Sequence, residues 1–272
     1  MSFFANLLRI LDLSMETPQP YGWFHLLSLA ITVGLTVFLC LRYRKNPTRV
    51  EPKRFVLWIS VLALLFEVYK QVNYSFSYTD GVVFDFQWYA FPFQFCSMPM
   101  YVGLLAGLVK KGKLYNMLAA FLATYAVFGG FCVMLYPVQV FISTIGINIQ
   151  TMFCHGAMIV TGIYLLYTGE VKLSHKTILR AFPVFAVVVA MAMGMNEIAH
   201  LSGLLERETF NMFFISPYCE PSLPVYSLVQ QAVPYPWCLL LYLAGFTIAS
   251  YLVTLIFMGI RGLYRRLAVK KS

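Results

Sequence analysis

The chain has 272 residues, of which 60% are hydrophobic, 17% aromatic and only 11% charged, and its net charge is +9. With a mean hydropathy of +0.73, this composition excludes an ordinary soluble domain and predicts an all-α polytopic membrane protein. The positive charge argues for no nucleic-acid partner, because the cations are divided among separate loops and form no single patch.

Residues 1–20 lack the basic start and long apolar core of a cleavable signal, and their Leu and Ile residues predict a short helix lying in the outer interface. Crossing the hydrocarbon takes about 20 apolar residues. The remaining single membrane domain, 21–272, offers seven such stretches, at 21–41, 55–74, 91–109, 114–135, 148–167, 178–200 and 237–260. Pro92 and Pro99 interrupt the third. Before the seventh, 201–236 contains Pro217, Pro221, Pro224, Pro234 and Pro236, which predicts an ordered outer loop or re-entrant cover with little helix.

Cations follow the odd-numbered stretches: Arg42, Arg44, Lys45, Arg49, Lys53 and Arg54 after the first; Lys110, Lys111 and Lys113 after the third; Lys172, Lys176 and Arg180 after the fifth; Arg261, Arg265, Arg266, Lys270 and Lys271 after the seventh. The opposite side holds Asp12, Glu16, Asp80, Asp85, Glu206, Glu208 and Glu220, with Arg9 and Arg207 as its cations. By the positive-inside rule this is a seven-transmembrane-helix bundle, N-terminus outside and C-terminus cytoplasmic, with basic loops facing anionic headgroups.

Oriented this way, His25, Glu67, Lys70, Gln94, Cys96, His155 and Asn196 all fall in the outer half. Polar groups in hydrocarbon are expensive, so a set at one depth predicts a wet cavity there above a dry, tightly packed inner half. Each also has a plainer reading. Glu67 and Lys70 are three apart and can pair in place, and Asn196 and His200 are four apart on one face, with His200 near the interface. His25 lies one turn into its span. Gly103 and Gly107 form a G-x-x-x-G step suited to close helix packing, and Trp88, Tyr235 and Trp237 suit interfacial anchoring.

The six cysteines have no metal-finger spacing. Cys219 and Cys238 flank an outer loop, which leaves a disulfide open. Cys96 differs from a small buried hydrophobe because Gln94 and Ser97 flank it at a helix start, where unpaired N–H groups favour a thiolate. At 1.5 Å per residue it lies roughly 8 Å below the start of its span, and His155 roughly 10 Å below its own. A thiol and an imidazole at matched depth suit nucleophilic catalysis; the alternative for His155 is a hydrogen bond to a neighbouring helix. A zinc site on His25, His155 and His200 lacks the H-x-x-x-H pair that places two ligands on one helix, so no metal is expected.

The run Phe91-Pro92-Phe93-Gln94-Phe95-Cys96-Ser97, Phe153-Cys154-His155-Gly156 opening a span that ends in Tyr164-Leu165-Leu166-Tyr167, Asn196, and Pro234-Tyr235-Pro236-Trp237 together resemble the YwaF-like integral membrane family. That family groups bacterial proteins with the animal transmembrane protein 164, a cysteine-centred lipid acyltransferase. The resemblance implies a thiol-dependent acyltransferase or acyl hydrolase acting on phospholipids or lysophospholipids in a bacterial plasma membrane, with no cofactor. It places Cys96 and His155 at the active cysteine and histidine, as nucleophile and general base. Gln94 stands where bacterial members often carry His, leaving an amide that can donate to an oxyanion but shuttles no proton. His25, Glu67, Lys70, Asn196 and His200 are then the expected substrate contacts. The alternative is a seven-helix receptor, sensor or small-solute transporter, in which the same outer-half pocket binds a ligand and nothing reacts.

Overall fold

Hydrocarbon offers no partner to backbone N–H and C=O groups, so apolar stretches of spanning length must fold as helices. The computed structural model describes residues 3–47, 51–78, 81–220, 223, 225–235 and 237–269. Arg49, Asp80, Pro221, Pro224, Pro236, Lys270 and Lys271 lie outside the described residues. The helices are α1 (Phe3–Leu11), α2 (Trp23–Lys45), α3 (Pro52–Asn73), α4 (Met98–Leu108), α5 (Lys113–Phe121), α6 (Val127–Leu135), α7 (Ile145–Tyr167), α8 (His175–Leu201), α9 (Tyr226–Ala232) and α10 (Trp237–Val269). A small hairpin, β1 (Phe76–Ser77) and β2 (Val83–Phe84), follows α3. A π-helical turn, Leu122–Ala126, joins α5 to α6 into one span.

Among the described residues, six helices are long and apolar enough to cross a membrane, and a shorter apolar helix, Phe95–Leu108, accompanies them. The chain is thus an all-α polytopic membrane protein. The third expected span needs correction: its helix begins at Phe95, not 91, and at about 21 Å it falls short of the roughly 30 Å hydrocarbon. Proline is the cause. Phe91, which precedes Pro92, is extended (φ −47°, ψ 137°), as steric conflict with the following ring requires. Pro99 falls in the first turn of α4, where a missing N–H costs no hydrogen bond.

The outer surface is apolar and the polar groups lie inside. On α3, Val56, Ser60, Ala63 and Glu67 form a buried stripe at helical spacing, while Trp58, Leu62, Leu65 and Val68 are exposed toward lipid. The central elements are the α5–α6 span and α7, with 67% and 61% of their apolar windows buried, against 22% for α2, α3 and α10. Glycines permit their close approach: a Cβ at Gly130 would strike the His155 carbonyl, and one at Gly162 would strike Val127 and the Leu122 carbonyl. Gly103 and Gly107 seat α4 against Ser60 and Leu57 of α3, the packing role their spacing suggests.

The 201–236 connection turns inward, burying Phe210, Met212, Phe213 and Ile215 in the main core, and it is more helical than expected because α9 lies within it. At the opposite edge, the leading segment is tied down after α1. Tyr69 donates to the Leu11 carbonyl at 2.7 Å, and Asp12 Oδ1 accepts from Asn73 at 3.2 Å and Thr144 at 3.1 Å. These bonds join the end of α3 to the start of α7.

Candidate functional site

A cavity of about 330 Å³ lies between α3, α4 and α7. Helical periodicity selects its lining. Ser60, Ala63, Glu67, Lys70 and Tyr74 face it from α3, and Ile147, Gln150, Cys154, Met158 and Thr161 form the matching row on α7 with His155 beside it. Cys96 and Ser97 enter from the first turn of the short helix, and Gln139, Val140 and Ile142 cover the end toward the acidic loops. Thr161 lies about 24 Å along a helix of roughly 33 Å, so the cavity passes the midpoint. The expectation of a dry, filled inner half is corrected accordingly. The charged and amide groups occupy the acidic-loop end, and the deep end is lined by Ile59, Ala63, Leu122 and Met158 together with the hydroxyl-bearing Ser60 and Thr161.

Cys96 is positioned by its neighbour. The Phe95 ring lies 6.4 Å from Phe121, 6.1 Å from Phe185, 5.8 Å from Phe213 and 5.4 Å from Phe246. With Phe95 locked in this aromatic core, the next residue presents its thiol to the cavity. His155 is 5% exposed, and its Nδ1 lies 2.7 Å from the Thr151 carbonyl. A carbonyl can only accept, so Nδ1 carries the proton and Nε2 keeps its lone pair. The bond differs from the one foreseen as the alternative role of His155: it runs along its own helix, not to a neighbouring one, and leaves the other nitrogen available.

Glu67 and Lys70 pair at 2.8 Å with little exposure, 5% and 13%. Glu67 Oε1 also accepts from Gln71 at 2.8 Å, and Oε2 accepts from Gln150 at 3.4 Å. Gln71 donates to the Ala90 carbonyl at 2.8 Å as well, which fixes the segment leading to Cys96. Gln150 reaches the Cys154 sulfur at 3.5 Å. Lys70 lines the same cavity as Cys96, Cys154 and His155. Sequence reading met Cys154 only inside a family motif and gave neither it nor Gln150 a place in the site. Their four-residue spacing, one turn along the face that also carries Ile147 and Met158, is the signal that could have found them.

Four expected site residues lie elsewhere. Gln94 does not face the cavity: its amide donates to the Asn211 carbonyl and accepts from the Phe213 N–H, both at 3.0 Å. Asn196 donates to the Met212 carbonyl at 3.0 Å and accepts its N–H at 2.7 Å. Together they clamp a turn in which Phe213 and Phe214 both hold left-handed backbone (φ 58°), a conformation costly for side-chain-bearing residues. His25 is fully buried; its Nδ1 accepts from the Tyr21 N–H and its Nε2–H donates to the Met134 carbonyl, both at 2.9 Å. His200 is stacked on Tyr218 at 3.6 Å on the exposed end of α8. Direction, not depth, separates Gln94, Asn196 and His25 from the cavity, whereas His200 lies at the exposed end of its helix. Cys219 and Cys238 are free thiols, and Cys238 donates to the Val233 carbonyl at 2.7 Å.

Compared with known proteins, residues 20–257 match the model of the TMEM164 family. No curated protein and no solved structure matches the chain.

Proposed function

Because the chain belongs to the TMEM164 family, we propose that its α3–α4–α7 cavity performs thiol-dependent acyl transfer on membrane phospholipids or lysophospholipids, or hydrolyses their acyl esters, in the outer leaflet of a bacterial plasma membrane. The observation that carries this reading is that Cys96 and His155 line one cavity, with the lone-pair nitrogen of His155 left uncommitted by its bond to Thr151. The deep end, uncharged and largely apolar, supports it further, since an acyl chain needs such a slot while its ester stays among the charged and amide groups.

In the proposed reaction His155 Nε2 takes the Cys96 thiol proton, and the thiolate attacks the ester carbonyl. The tetrahedral oxyanion forms beside the Lys70 ammonium, whose field in a site of low dielectric is strong. Collapse breaks the ester C–O bond; His155 returns its proton to the departing lysophospholipid oxygen, and the acyl group remains as a thioester on Cys96. A lysophospholipid hydroxyl, deprotonated by His155, then attacks the thioester for transfer, or water does so for hydrolysis. The thiol is regenerated with the proton from His155. Glu67 keeps Lys70 in place, and Gln94, Asn196, His25 and His200 take no part in the chemistry.

The test is intact-protein mass spectrometry after incubation in phospholipid vesicles. A mass increment equal to one acyl chain on Cys96, slowed in His155→Gln and absent in Cys96→Ala, supports the reading. Equal lipid turnover by folded Cys96→Ala and the parent protein overturns it and leaves a binding protein.

A further inference from the structure

A second cavity, about 600 Å³, opens where the end of α8 meets the acidic-side loops, and it shares no lining residue with the first. Its volume falls within the range of small-molecule sites. One wall is Met195, Ile198 and Ala199 of α8; the other is Trp88, Phe91 and Phe210. The aromatic wall is fixed by its own contacts, with Trp88 stacked on Phe91 at 6.4 Å and Phe210 5.4 Å from Phe91. Gly203, in left-handed conformation (φ 71°), ends α8 and folds the chain back so that Glu206 and Arg207 form the rim.

Two observations fix the chemistry of an occupant. The apolar wall is continuous with the lipid-facing side of α8, where Ile198 is 68% and Leu201 76% exposed. The rim carries Arg207, one of two cations in the acidic loops, which makes no ion pair among the described residues. Apolar length below and a free guanidinium at the interface match an acyl chain below a phosphodiester, which arginine binds through paired N–H donors. We infer that this groove holds one phospholipid, its phosphate on Arg207 and an acyl chain between α8 and the Trp88–Phe91–Phe210 wall. The inference stands apart from the acyl-transfer reading, since no group of the α3–α4–α7 cavity takes part.

Native mass spectrometry of the full chain, released from nanodiscs of phosphatidylethanolamine and phosphatidylglycerol, tests it. Under activation that strips loosely held lipid, the parent protein should retain one phospholipid. Arg207→Gln should retain it at least tenfold less often, and Ser202→Trp, which fills the groove mouth while keeping the charge, should lose it too. Both positions are exposed, and an unchanged thermal midpoint identifies folded variants. Cys96→Ala should keep the lipid. Retention in Arg207→Gln and Ser202→Trp equal to the parent overturns the inference, as does a retained lipid lost only when the first cavity is altered by Lys70→Gln.

Discussion

Two polar clusters sit inside this bundle, and they differ in what they leave unused. In the clamp, Gln94 and Asn196 spend both ends of each amide on the backbone of residues 211–213. In the cavity, Lys70 offers three N–H donors to a single carboxylate, and His155 engages one ring nitrogen of two. A buried polar side chain in a membrane is expensive enough to require a reason, but the reason can be architecture. Unspent hydrogen-bonding capacity facing open volume is what separates a candidate site from a structural joint.

The sharpest way to break that comparison is to remove the uncommitted nitrogen. His155→Gln should lower acyl turnover on the order of 10²–10⁴-fold, the usual contribution of a general base, with little change in thermal midpoint. A stability loss with turnover per folded molecule intact would move His155 into the same class as Asn196.

Lys70→Met comes next. It leaves the Glu67 carboxylate buried with only the Gln71 and Gln150 amides, and breaking a buried pair costs about 3–5 kcal/mol. Removing both charges, as Glu67→Gln with Lys70→Met, should restore most of that stability in chemical denaturation while turnover stays low. Recovery of turnover along with stability would make the pair a structural joint after all.

Asn196→Leu sharpens the comparison from the other side. It strands the Met212 N–H and C=O, each costing about 1–3 kcal/mol when left unpaired, and loosens a turn already held in left-handed conformation. The combined loss with Gln94→Leu should be less than the sum of the two single losses, because both side chains hold one turn. Strict additivity in unfolding measurements would show two independent contacts.

The helices were legible because hydrocarbon allows few alternatives: apolar length and the alternation of basic and acidic loops suffice to place them. The third was legible as interrupted, from Pro92 and Pro99, but its start was not, since Phe91, Phe93 and Phe95 are all apolar and hydropathy is blind to the extended backbone that Pro92 forces on Phe91. At the site, Glu67 and Lys70 were legible from their three-residue spacing, and Cys96 and His155 from depth. Depth, however, also gathered His25, Gln94 and Asn196, and helical spacing from Asn196 added His200; the side chains of all four point elsewhere. Facing is set by how each element is rotated against its neighbours, which for α7 depends on contacts such as Gly130 on the His155 carbonyl and Gly156 on Thr32. Cys154 stayed hidden for the same reason, as a thiol on an apolar helix reads as a small core residue until its face is known.

The smallest expected effect belongs to His200. Its ring stacks on Tyr218, whose hydroxyl donates to Glu197 at 2.8 Å, so the contact ties the end of α8 to the 211–220 loop. The residue is exposed and fills no cavity. Water and headgroups can replace what the imidazole gives up, and surface substitutions away from caps and cores usually fall within about 0.5 kcal/mol. His200→Ala should therefore leave both turnover and thermal midpoint close to the parent values. A turnover loss comparable to that of His155→Gln would place a substrate contact at the end of α8, far from the cavity, and would show that unspent capacity facing open volume is too narrow a criterion for this fold.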